Sequence, residues 1–427
     1  MLKYFLINKI NLKEGRFMNN SFKEVAATSL NKNYEKLIKR EKELFQSPNE
    51  IRQPFARDYT RILHSTAYRR LKHKTQVFYN IESDHICTRM EHVLHVESVS
   101  YTIAKTLELN DELTHAIAMG HDLGHAPFGH YGESVINKLS KQYLGKNFWH
   151  ERNGLYFVDN IELLPDHSDN FQNLNLTYAV RDGIISHCGE RDINSLRPRN
   201  EFIDLQDFTT PGQYNPVTYE GCVVKIADKI AYIGRDIEDA ISLGFLSENS
   251  LKELSKIVKL DDNSSVINTS TIMGNMIRDI CKNSSVEKGI CLSEEMSDIL
   301  NKIKQFNYIH IYGNKRFEPF KKYAELIINE IFNTLLDCYD NGDIFGGLEK
   351  KEKFCKYLIG EFRDYLIKYC ETCVLPKQYQ EKAQRFKNKK IYEKLQTKEL
   401  YIQAIIDYIA GMTDRYAVKT FNDLITY

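Results

Sequence analysis

The chain has 427 residues, which is enough to bury one large hydrophobic core or two moderate ones. Hydrophobic residues make up 42% of it and charged residues 27%, and 58 Lys+Arg balance 58 Asp+Glu, which excludes a chain-wide basic surface for nucleic acid or membrane. An anionic ligand would therefore have to be bound by a local cluster of basic residues.

The N-terminal stretch MLKYFLINKINLKEGRFMNN has too short an apolar segment for a transmembrane helix and lacks the small-residue cleavage site of a secretory signal. No other apolar run approaches the roughly 20 residues that cross a bilayer, so we expect a cytoplasmic protein without a membrane partner. Met18 precedes a polar stretch and is a candidate start codon, which would make residues 1–17 dispensable. We predict an N-terminal extension over residues 1–45.

Helical patterns dominate the rest of the chain. Apolar residues recur at three- and four-residue spacing in segments 115–125, 220–246, 321–339 and 400–424, whereas strand-like alternation is rare. We therefore predict an all-α fold.

Three stretches rich in Asn, Asp, Ser, Gly and Pro are expected to be loops, at residues 164–177, 207–219 and 259–271. The last of them, near residues 260 to 270, is the best candidate for a boundary. We predict a core over residues 46–245 and a C-terminal helical portion over residues 246–427 that packs on this core.

The nine cysteines are scattered through a chain much larger than disulfide-stapled scaffolds, so we expect reduced thiols. Cys370 and Cys373 form a single CxxC without a second pair. We interpret them as two cysteines on a helix rather than as a metal or redox site.

The stretch HDLGHAPFGH is the strongest candidate for chemistry, because it places His121, Asp122, His125 and His130 within ten residues. Gly124 weakens the helix and Pro127 ends it, so that the adjacent His121 and Asp122 could both turn toward one ion. Two alternatives are polar residues that merely line a crevice and a zinc protease, since HDLGH resembles HExxH. A protease motif, however, needs a glutamate on an uninterrupted helix.

Two further segments offer ligands for such an ion. His92 and His95 lie three residues apart in TRMEHVLHVESV, with Arg89 one turn before His92. In the segment 220–246, Asp228 lies between apolar positions on a helix, where a buried carboxylate requires a partner such as a metal. A polar stripe continues along this helix through Tyr232, Asp236 and Asp239.

The order His92, His121–Asp122, Asp228 resembles the HD phosphohydrolase superfamily, and the surrounding text resembles its deoxynucleoside triphosphate triphosphohydrolase branch, the dGTPase-like enzymes. The segments that carry the resemblance are RDYTRILHSTAYRRLKHKTQVF, TRMEHVLHV, HDLGHAPFGHYGE, FWHERNG, DKIAYIGRDIEDA and DYIAGMTDRYA. They run from about residue 55 to 245 and recur near 400 to 425. The core at 46–245 would then be an HD-type catalytic core.

The resemblance also implies roles for individual residues. The implied metal ligands are His92, His121, Asp122 and Asp228. The implied catalytic acid/base group is His125, His130, Glu133 and His150. The implied substrate contacts are Arg89, Lys229 and Lys304 at the phosphates, and Gln76, Tyr232, Asp236 and Tyr312 at the sugar or base.

The expected activity is metal-dependent hydrolysis of deoxynucleoside triphosphates, of dGTP or of several dNTPs, to deoxynucleoside and inorganic triphosphate. A site of two imidazoles and two carboxylates suits Mn, Fe, Co or Ni, with Mg also usable, and the sequence leaves the identity open. His130 paired with Glu133 is our candidate acid for the leaving 5′-oxygen. Basic residues that could meet the triphosphate, about half of which we expect to contact nothing, are Arg57, Arg61, Arg69, Arg70, Lys72, Lys74 and Arg89.

Alternative functions are another HD-type nucleotide phosphatase or phosphodiesterase, and a nucleotide-sensing regulatory protein. Expected partners are the dNTP substrate, further copies of this chain in a homo-oligomer, by resemblance to the family, and a nucleotide effector as an open candidate. Binding of single-stranded nucleic acid has no support in the sequence. The preferred base also stays open, because residues 155–215 and 246–400 carry no distinctive pattern.

Overall fold

A computed structural model describes residues 21–46, 48–79, 85–188, 194–258, 269–340 and 342–426. The candidate start at Met18 and most of the candidate boundary near residues 260 to 270 lie outside these residues. Within them the chain forms 18 α-helices and only short strands, which confirms the predicted all-α fold. Each helix of the described part is too short or too polar to cross a membrane.

The α-helices are α1 (Tyr34–Leu37), α2 (Pro54–His64), α3 (Thr66–Arg70), α4 (Arg89–Thr106), α5 (Asp111–Gly120), α6 (Gly129–Leu144), α7 (His150–Tyr156), α8 (Tyr178–Ser186), α9 (Tyr219–Ser242), α10 (Glu248–Ile257), α11 (Thr269–Asn283), α12 (Glu294–Asn307), α13 (Glu318–Leu336), α14 (Ile344–Glu352), α15 (Lys356–Tyr369), α16 (Lys377–Ala383), α17 (Lys398–Ala410) and α18 (Asp414–Ile425). Single 3₁₀ turns are Leu71–His73, Leu205–Asp207, Lys315–Phe317 and Thr372–Val374, and π-helical turns are Phe157–Ile161 and Tyr308–Tyr312. The strands are β1 (Leu163–Pro165), β2 (Phe171–Asn173), β3 (Ser195–Leu196) and β4 (Ile290–Cys291).

A first hydrophobic core is built on α4, α5 and α9, which pack against one another. The central helix α9 buries Val223, Ile230 and Ile233 at the three- and four-residue spacing visible in the sequence. Burial of such apolar faces is the main favourable term in folding. This core extends along the chain from Phe22 to Phe317, so α11 and α12 belong to it.

The described part of the predicted N-terminal extension packs into this first core. Phe22, Ala26 and Leu37 are buried. The buried carboxylate of Glu220 accepts hydrogen bonds from the backbone N–H groups of Ala27 at 2.8 Å and Asn110 at 2.9 Å. Residues 21–37 therefore contribute to the core and to the start of α9.

A second hydrophobic core combines α6 with the C-terminal helices α13, α15 and α17. Phe128 and Ile136 bury their side chains here together with Ile328, Phe332 and Ile405. The turn that follows His121–Asp122 thus lies where the two cores meet. Both parts of the chain therefore hold the HDLGH segment in place.

One predicted loop is partly a sheet. Within residues 164–177, β1 and β2 pair antiparallel, with Leu164 opposite Gln172. Phe171 also exchanges backbone hydrogen bonds with the C-terminal region, donating to the oxygen of Arg385 at 2.7 Å and accepting from Lys387 at 2.8 Å. These partners lie more than 200 residues away in the sequence, which explains why the local Asn- and Asp-rich pattern did not predict the strands.

The described cysteines are all free thiols. Cys370 is buried at the end of α15, whereas Cys373 is exposed in a 3₁₀ turn, so the two do not share one helix. Burial raises the pKa of the Cys370 thiol to about 12. Its thiol is therefore protonated and unreactive at neutral pH.

Candidate active site and metal centre

A cavity of about 580 Å³ opens where the two cores meet. Its walls include most of the residues that the sequence singled out, namely Gln76, Arg89, His92, Asp122, His125, His130, Glu133, His150, Asp228, Tyr232, Asp236 and Tyr312. His121 is fully buried directly behind this wall. Lys229 and Lys304 are not among the described residues that line the cavity.

Three local structures deliver the four proposed metal ligands. A reciprocal capping box between Thr88 and Glu91 starts α4, which places His92 in its first turn. Helix α5 ends at Gly120, so His121 and Asp122 are the first residues beyond it and can turn toward the same point. Asp228 projects from the middle of α9, on the side opposite its apolar face.

The ligand atoms converge on a small space. His92 Nε2 lies 3.0 Å from Asp228 Oδ1, and His121 Nε2 lies 3.6 Å from Asp122 Oδ1 and 3.9 Å from Asp228 Oδ1. Bonds of about 2.1 Å to one metal ion place neighbouring ligand atoms roughly 3 to 3.5 Å apart. The spacing of His92, His121 and Asp228 is therefore close to that of ligands around one metal ion, and Asp122 lies beside this group.

The hydrogen bonding of His121 fits a metal ligand. Its Nδ1 lies 2.6 Å from the carbonyl oxygen of Ala118, which can only accept, so Nδ1 carries the proton. Nε2 then presents a lone pair, and this buried atom has no hydrogen-bond partner in the described structure. Leaving a buried acceptor without a partner is unfavourable, and a divalent cation would satisfy it.

A close backbone approach brings a second group of imidazoles to the site. A Cβ at Gly124 would lie 2.0 Å from the backbone oxygen of His150, so only glycine allows α7 to start against the His121–Asp122 turn. The side chain of Asn153 fixes this contact by donating to the Gly124 oxygen at 2.7 Å. As a result, the rings of His125 and His150 stack with centroids 3.9 Å apart.

Glu133 lies at the centre of three histidines. Its Oε2 is 3.1 Å from His150 Nδ1, 3.4 Å from His130 Nδ1 and 3.9 Å from His125 Nδ1. The His150 and His125 side chains are buried, whereas that of His130 is 72% exposed at the cavity wall. Glu133 can thus orient a proton-bearing imidazole toward the cavity.

The two stacked imidazoles differ in protonation. Burial opposes the charge of His150, but Glu151 and Glu133 outweigh it and raise the pKa of His150 well above its usual value. Burial, together with Arg89 and His150, lowers the pKa of His125 well below its usual value. Burial would raise the pKa of Glu133, but His150 and His130 hold it well below its usual range. At neutral pH His150 is therefore charged, His125 is neutral and Glu133 is a carboxylate.

The turn just before His130 is held in an unusual backbone conformation. Phe128 and Gly129 are both left-handed, with φ of 65° and 59°, immediately before α6. For a residue with a Cβ this conformation is strained and requires support from its surroundings. The Phe128 N–H donates to Asp414 at 2.8 Å, and the same carboxylate accepts from the Thr75 N–H at 2.8 Å.

Two of the residues that the resemblance assigns to the sugar or base, Gln76 and Asp236, each have a buried oxygen without a hydrogen-bond partner in the described structure. The Tyr312 hydroxyl donates to Asp236 Oδ2 at 2.5 Å, which leaves the buried Oδ1 of Asp236 without a hydrogen bond in the described structure. Gln76 Oε1 is likewise buried and unpaired. Burial raises the pKa of Asp236 to about 7, even though the Tyr312 hydroxyl stabilises the carboxylate. Both oxygens are available to hydroxyl groups of a ligand.

The basic residues before the metal motif are distributed over several places. Arg89 lines the cavity and donates to Asp122 Oδ2 at 2.8 Å. Lys74 is buried and donates to the backbone oxygen of His125. Arg70 pairs with Glu162 at 2.7 Å, and neither of these two residues lines the cavity. Only part of the basic segment therefore faces the candidate site. Our expectation that about half of these residues contact nothing is wrong, because Arg57, Arg61 and Arg69 also donate to backbone oxygens of neighbouring segments.

Sequence reasoning missed several residues that line the same cavity. His187 and Cys188 follow α8, and Glu151 follows His150; His187 also lies in a cluster with Asp122 and His150 whose ligand atoms are within 4.8 Å of one another. A lone histidine after an apolar helix is typical of core packing. The one available signal in the sequence was that His187 and Cys188 are adjacent. Tyr308 and Lys321 reach the rim from segments whose sequence was not distinctive.

Comparison with known proteins gives a consistent result. The HD domain family matches residues 89–233, and the phosphohydrolase-associated domain family matches residues 348–423. A deoxyguanosinetriphosphate triphosphohydrolase-like protein of Caldanaerobacter subterraneus subsp. tengcongensis is 33% identical over 376 residues, covering 88% of this chain and 86% of the relative.

Two further relatives with the same description support this result. The protein of Desulfatibacillum aliphaticivorans is 36% identical over 69% of this chain and 77% of its own length. That of Clostridium perfringens strain SM101 is 32% identical over 90% of each chain. The long matched range, together with the HD motif in the cavity, leads to one conclusion: this chain belongs to the family of deoxyguanosinetriphosphate triphosphohydrolase-like proteins, which are HD-domain phosphohydrolases.

Proposed function

We propose that this protein hydrolyses deoxynucleoside triphosphates to deoxynucleoside and inorganic triphosphate with the help of a divalent metal ion. The observation that carries the proposal is that one cavity wall holds both the His/Asp cluster and the Glu133-centred imidazoles. A nucleotide whose α-phosphate lay at the former would have its leaving 5′-oxygen beside the latter. The names of the relatives point to the same substrate class.

In this proposal the chain supplies ligands and protons. His92, His121, Asp122 and Asp228 would hold a divalent cation of the Mn, Mg, Fe, Co or Ni type, which would polarise the phosphoryl group and water. His130 donates the proton to the 5′-oxygen. Glu133 orients the His130 imidazole, because its Oε2 lies 3.4 Å from His130 Nδ1. The charged His150 behind them stabilises the negative charge that develops on the phosphate oxygens.

Substrate selectivity for deoxyribose would come from the stripe along α9. The unpaired Asp236 Oδ1 accepts a hydrogen bond from the 3′-hydroxyl, while Tyr232 and Gln76 pack near the 2′ carbon. A ribonucleotide would bury its 2′-hydroxyl without a partner, at a cost of about 1 to 3 kcal/mol, or roughly 10- to 100-fold in kcat/KM. Dideoxynucleotides would leave Asp236 unpaired and would also be poor substrates.

The test is a substrate panel with product identification. Purified full-length protein with Mn²⁺ or Mg²⁺ is incubated with each dNTP, with GTP and with dideoxy-GTP, and products are separated by ion-exchange chromatography. We expect inorganic triphosphate as the phosphorus product and at least a tenfold preference for dGTP over GTP. Release of orthophosphate, or equal kcat/KM for dGTP and GTP, would favour a general HD nucleotide phosphatase instead.

A further inference from the structure

Lys74 is a buried lysine that the proposed hydrolysis leaves without a role. It is 3% exposed, whereas Lys72 and His73 just before it are exposed. Lys74 is not among the described residues that line the cavity, so its amino group lies behind the cavity wall. Burying an amino group is unfavourable unless the surroundings supply hydrogen-bond acceptors.

The amino group of Lys74 bridges two backbone carbonyl groups from distant parts of the chain. Its Nζ donates to the oxygen of His125 and, at 3.4 Å, to the oxygen of Ala410. His125 belongs to the HDLGH segment, and Ala410 is the last residue of α17 in the second core. Carbonyl groups at the C-terminal end of a helix carry partial negative charge and attract a cation. The Lys74 side chain therefore connects the HDLGH segment to the C-terminal part of the chain.

The backbone at Lys74 is held independently of its side chain. The Lys74 oxygen accepts a hydrogen bond from the Arg89 N–H at 3.1 Å, at the start of α4. The next residue, Thr75, donates its N–H to Asp414 at 2.8 Å. A substitution of the Lys74 side chain leaves these main-chain hydrogen bonds in place. Such a variant thus removes the contact with His125 and Ala410 alone.

The position of His125 affects both parts of the candidate site. Its ring stacks on that of His150 with centroids 3.9 Å apart. Its Nε2 lies 2.9 Å from Oδ1 of Asp122, one of the four proposed metal ligands. A shift of the His125 backbone would therefore move an imidazole that lies between the Glu133-centred group and the His/Asp cluster.

Stability alone does not explain a lysine at this position. Burial, together with Arg70 and Arg89, lowers the pKa of Lys74 to about 7, and Asp414 opposes this only in part. Replacing a buried charged group by an apolar side chain of similar volume is often neutral or stabilising. The two carbonyl acceptors that Lys74 brings together account better for its presence.

We propose that Lys74 is a positioning residue of the active site, whose amino group holds the backbone of His125 against the end of α17. It acts through His125 and His150 and does not contact the substrate. Its effect on the reaction rate rests on the proposed hydrolysis, whereas its effect on the HDLGH segment is a property of the protein without substrate.

The first test is the kinetics of Lys74→Met, which keeps an unbranched side chain and removes its donors. We expect kcat for dGTP to fall about 10- to 100-fold, because small displacements of catalytic groups have effects of this size. KM and metal content should stay close to wild type, since Lys74 lines no part of the cavity in the described structure. Lys105→Met, which replaces an exposed lysine of α4, is the control and should have wild-type kcat.

The second test needs no activity. Hydrogen exchange of the full-length protein without substrate is followed by mass spectrometry for wild type, Lys74→Met and Lys105→Met. We expect Lys74→Met to exchange faster in peptides from residues 121–132 and 407–414, while peptides from α9 exchange as in wild type. Faster exchange throughout the chain would indicate a general structural role and would overturn the proposal.

The two tests separate the role of Lys74 from the proposed hydrolysis. Wild-type kcat in Lys74→Met, or unchanged exchange at residues 121–132, would overturn the positioning role. A wild-type protein that does not hydrolyse dGTP would contradict the proposed hydrolysis, and hydrogen exchange would then decide on Lys74. Lys74→Gln, which keeps a donor on a shorter side chain, replaces Lys74→Met if the latter does not fold, with the same direction expected for both changes.

Discussion

His121 and His187 are held in place by the same local arrangement. Each follows the last residue of a helix and donates its Nδ1 proton to the carbonyl three residues earlier, at 2.6 Å to Ala118 and 2.7 Å to Ile184. Each therefore directs the lone pair of Nε2 away from its own helix. The centroids of their rings lie 5.0 Å apart. The ends of α5 and α8 thus bring together two imidazoles whose Nδ1 atoms carry the proton.

At the residue scale, we predict that Asp228→Ala abolishes stoichiometric metal binding and activity. The variant removes one of four ligands and leaves His92 Nε2 without its partner at 3.0 Å. Metal content is measured by inductively coupled plasma mass spectrometry on the purified protein. Asp298→Ala, an exposed aspartate of α12, is the control, and full metal occupancy in Asp228→Ala would remove Asp228 from the coordination sphere.

His130→Ala should separate metal binding from chemistry. The side chain is 72% exposed and contacts Glu133 rather than the His/Asp cluster, so the metal content should stay at the wild-type level. Loss of a general acid lowers kcat by about 10² to 10⁴. His64→Ala, on an exposed part of α2, should retain wild-type kcat. A kcat for His130→Ala within a few-fold of wild type would reduce His130 to a structural role.

The buried Asp236 predicts a pH dependence of stability. Its folded-state pKa of about 7 lies above the unfolded value, so its favourable contribution is fully present below about pH 4 and is lost as the pH rises through 7. Asp236→Asn, which mimics the protonated form, should therefore gain stability relative to wild type, by about 2 to 3 kcal/mol between pH 5 and pH 8. Urea unfolding of both proteins with chelator measures this difference. A constant difference across that range would contradict the assignment.

At the scale of elements, one carboxylate connects two loops of the active site. Asp414, in the first turn of α18, accepts hydrogen bonds from Phe128 in the turn before His130 and from Thr75 beside Gln76. The DYIAGMTDRYA segment, more than 270 residues after His130, thus supports the positions of His130 and Gln76. Buried hydrogen bonds of this kind fix geometry as well as contribute stability.

We expect Asp414→Ala to lower kcat at least tenfold while the metal content is retained. Without the carboxylate, the strained Phe128 relaxes and His130 moves, and small displacements of catalytic groups cost about 10²-fold in rate. Steady-state kinetics with metal analysis tests this, and Asp423→Ala on the exposed side of α18 is the control. A twofold or smaller change in kcat would exclude this supporting role.

The sequence predicts helices and their buried faces well, because both depend on local spacing. The apolar face of α9 and the aspartates on its opposite side are where the 3.6-residue period puts them. Strands β1 and β2 could not be predicted in the same way, because their pairing is completed by Phe171 with residues 385 and 387. Such a contact leaves no periodic signal in the Asn- and Asp-rich segment itself.

At the scale of the whole molecule, the cavity exists because two hydrophobic cores meet beside the His121–Asp122 turn. The sequence motifs identify residues such as His92 and Asp228, since their types and order are informative by themselves. They do not identify His187 or Lys321, which reach the cavity only through the packing of α8 and α13.

In the proposed reaction, water attacks the α-phosphorus and the 5′-oxygen leaves with the nucleoside. Hydrolysis of dGTP in ¹⁸O-labelled water, followed by mass spectrometry of both products, tests it most directly. The arrangement of His130 and Glu133 beside the His/Asp cluster predicts one ¹⁸O atom in inorganic triphosphate and none in deoxyguanosine. Label in the deoxyguanosine, or dGDP with labelled orthophosphate as products, would contradict it.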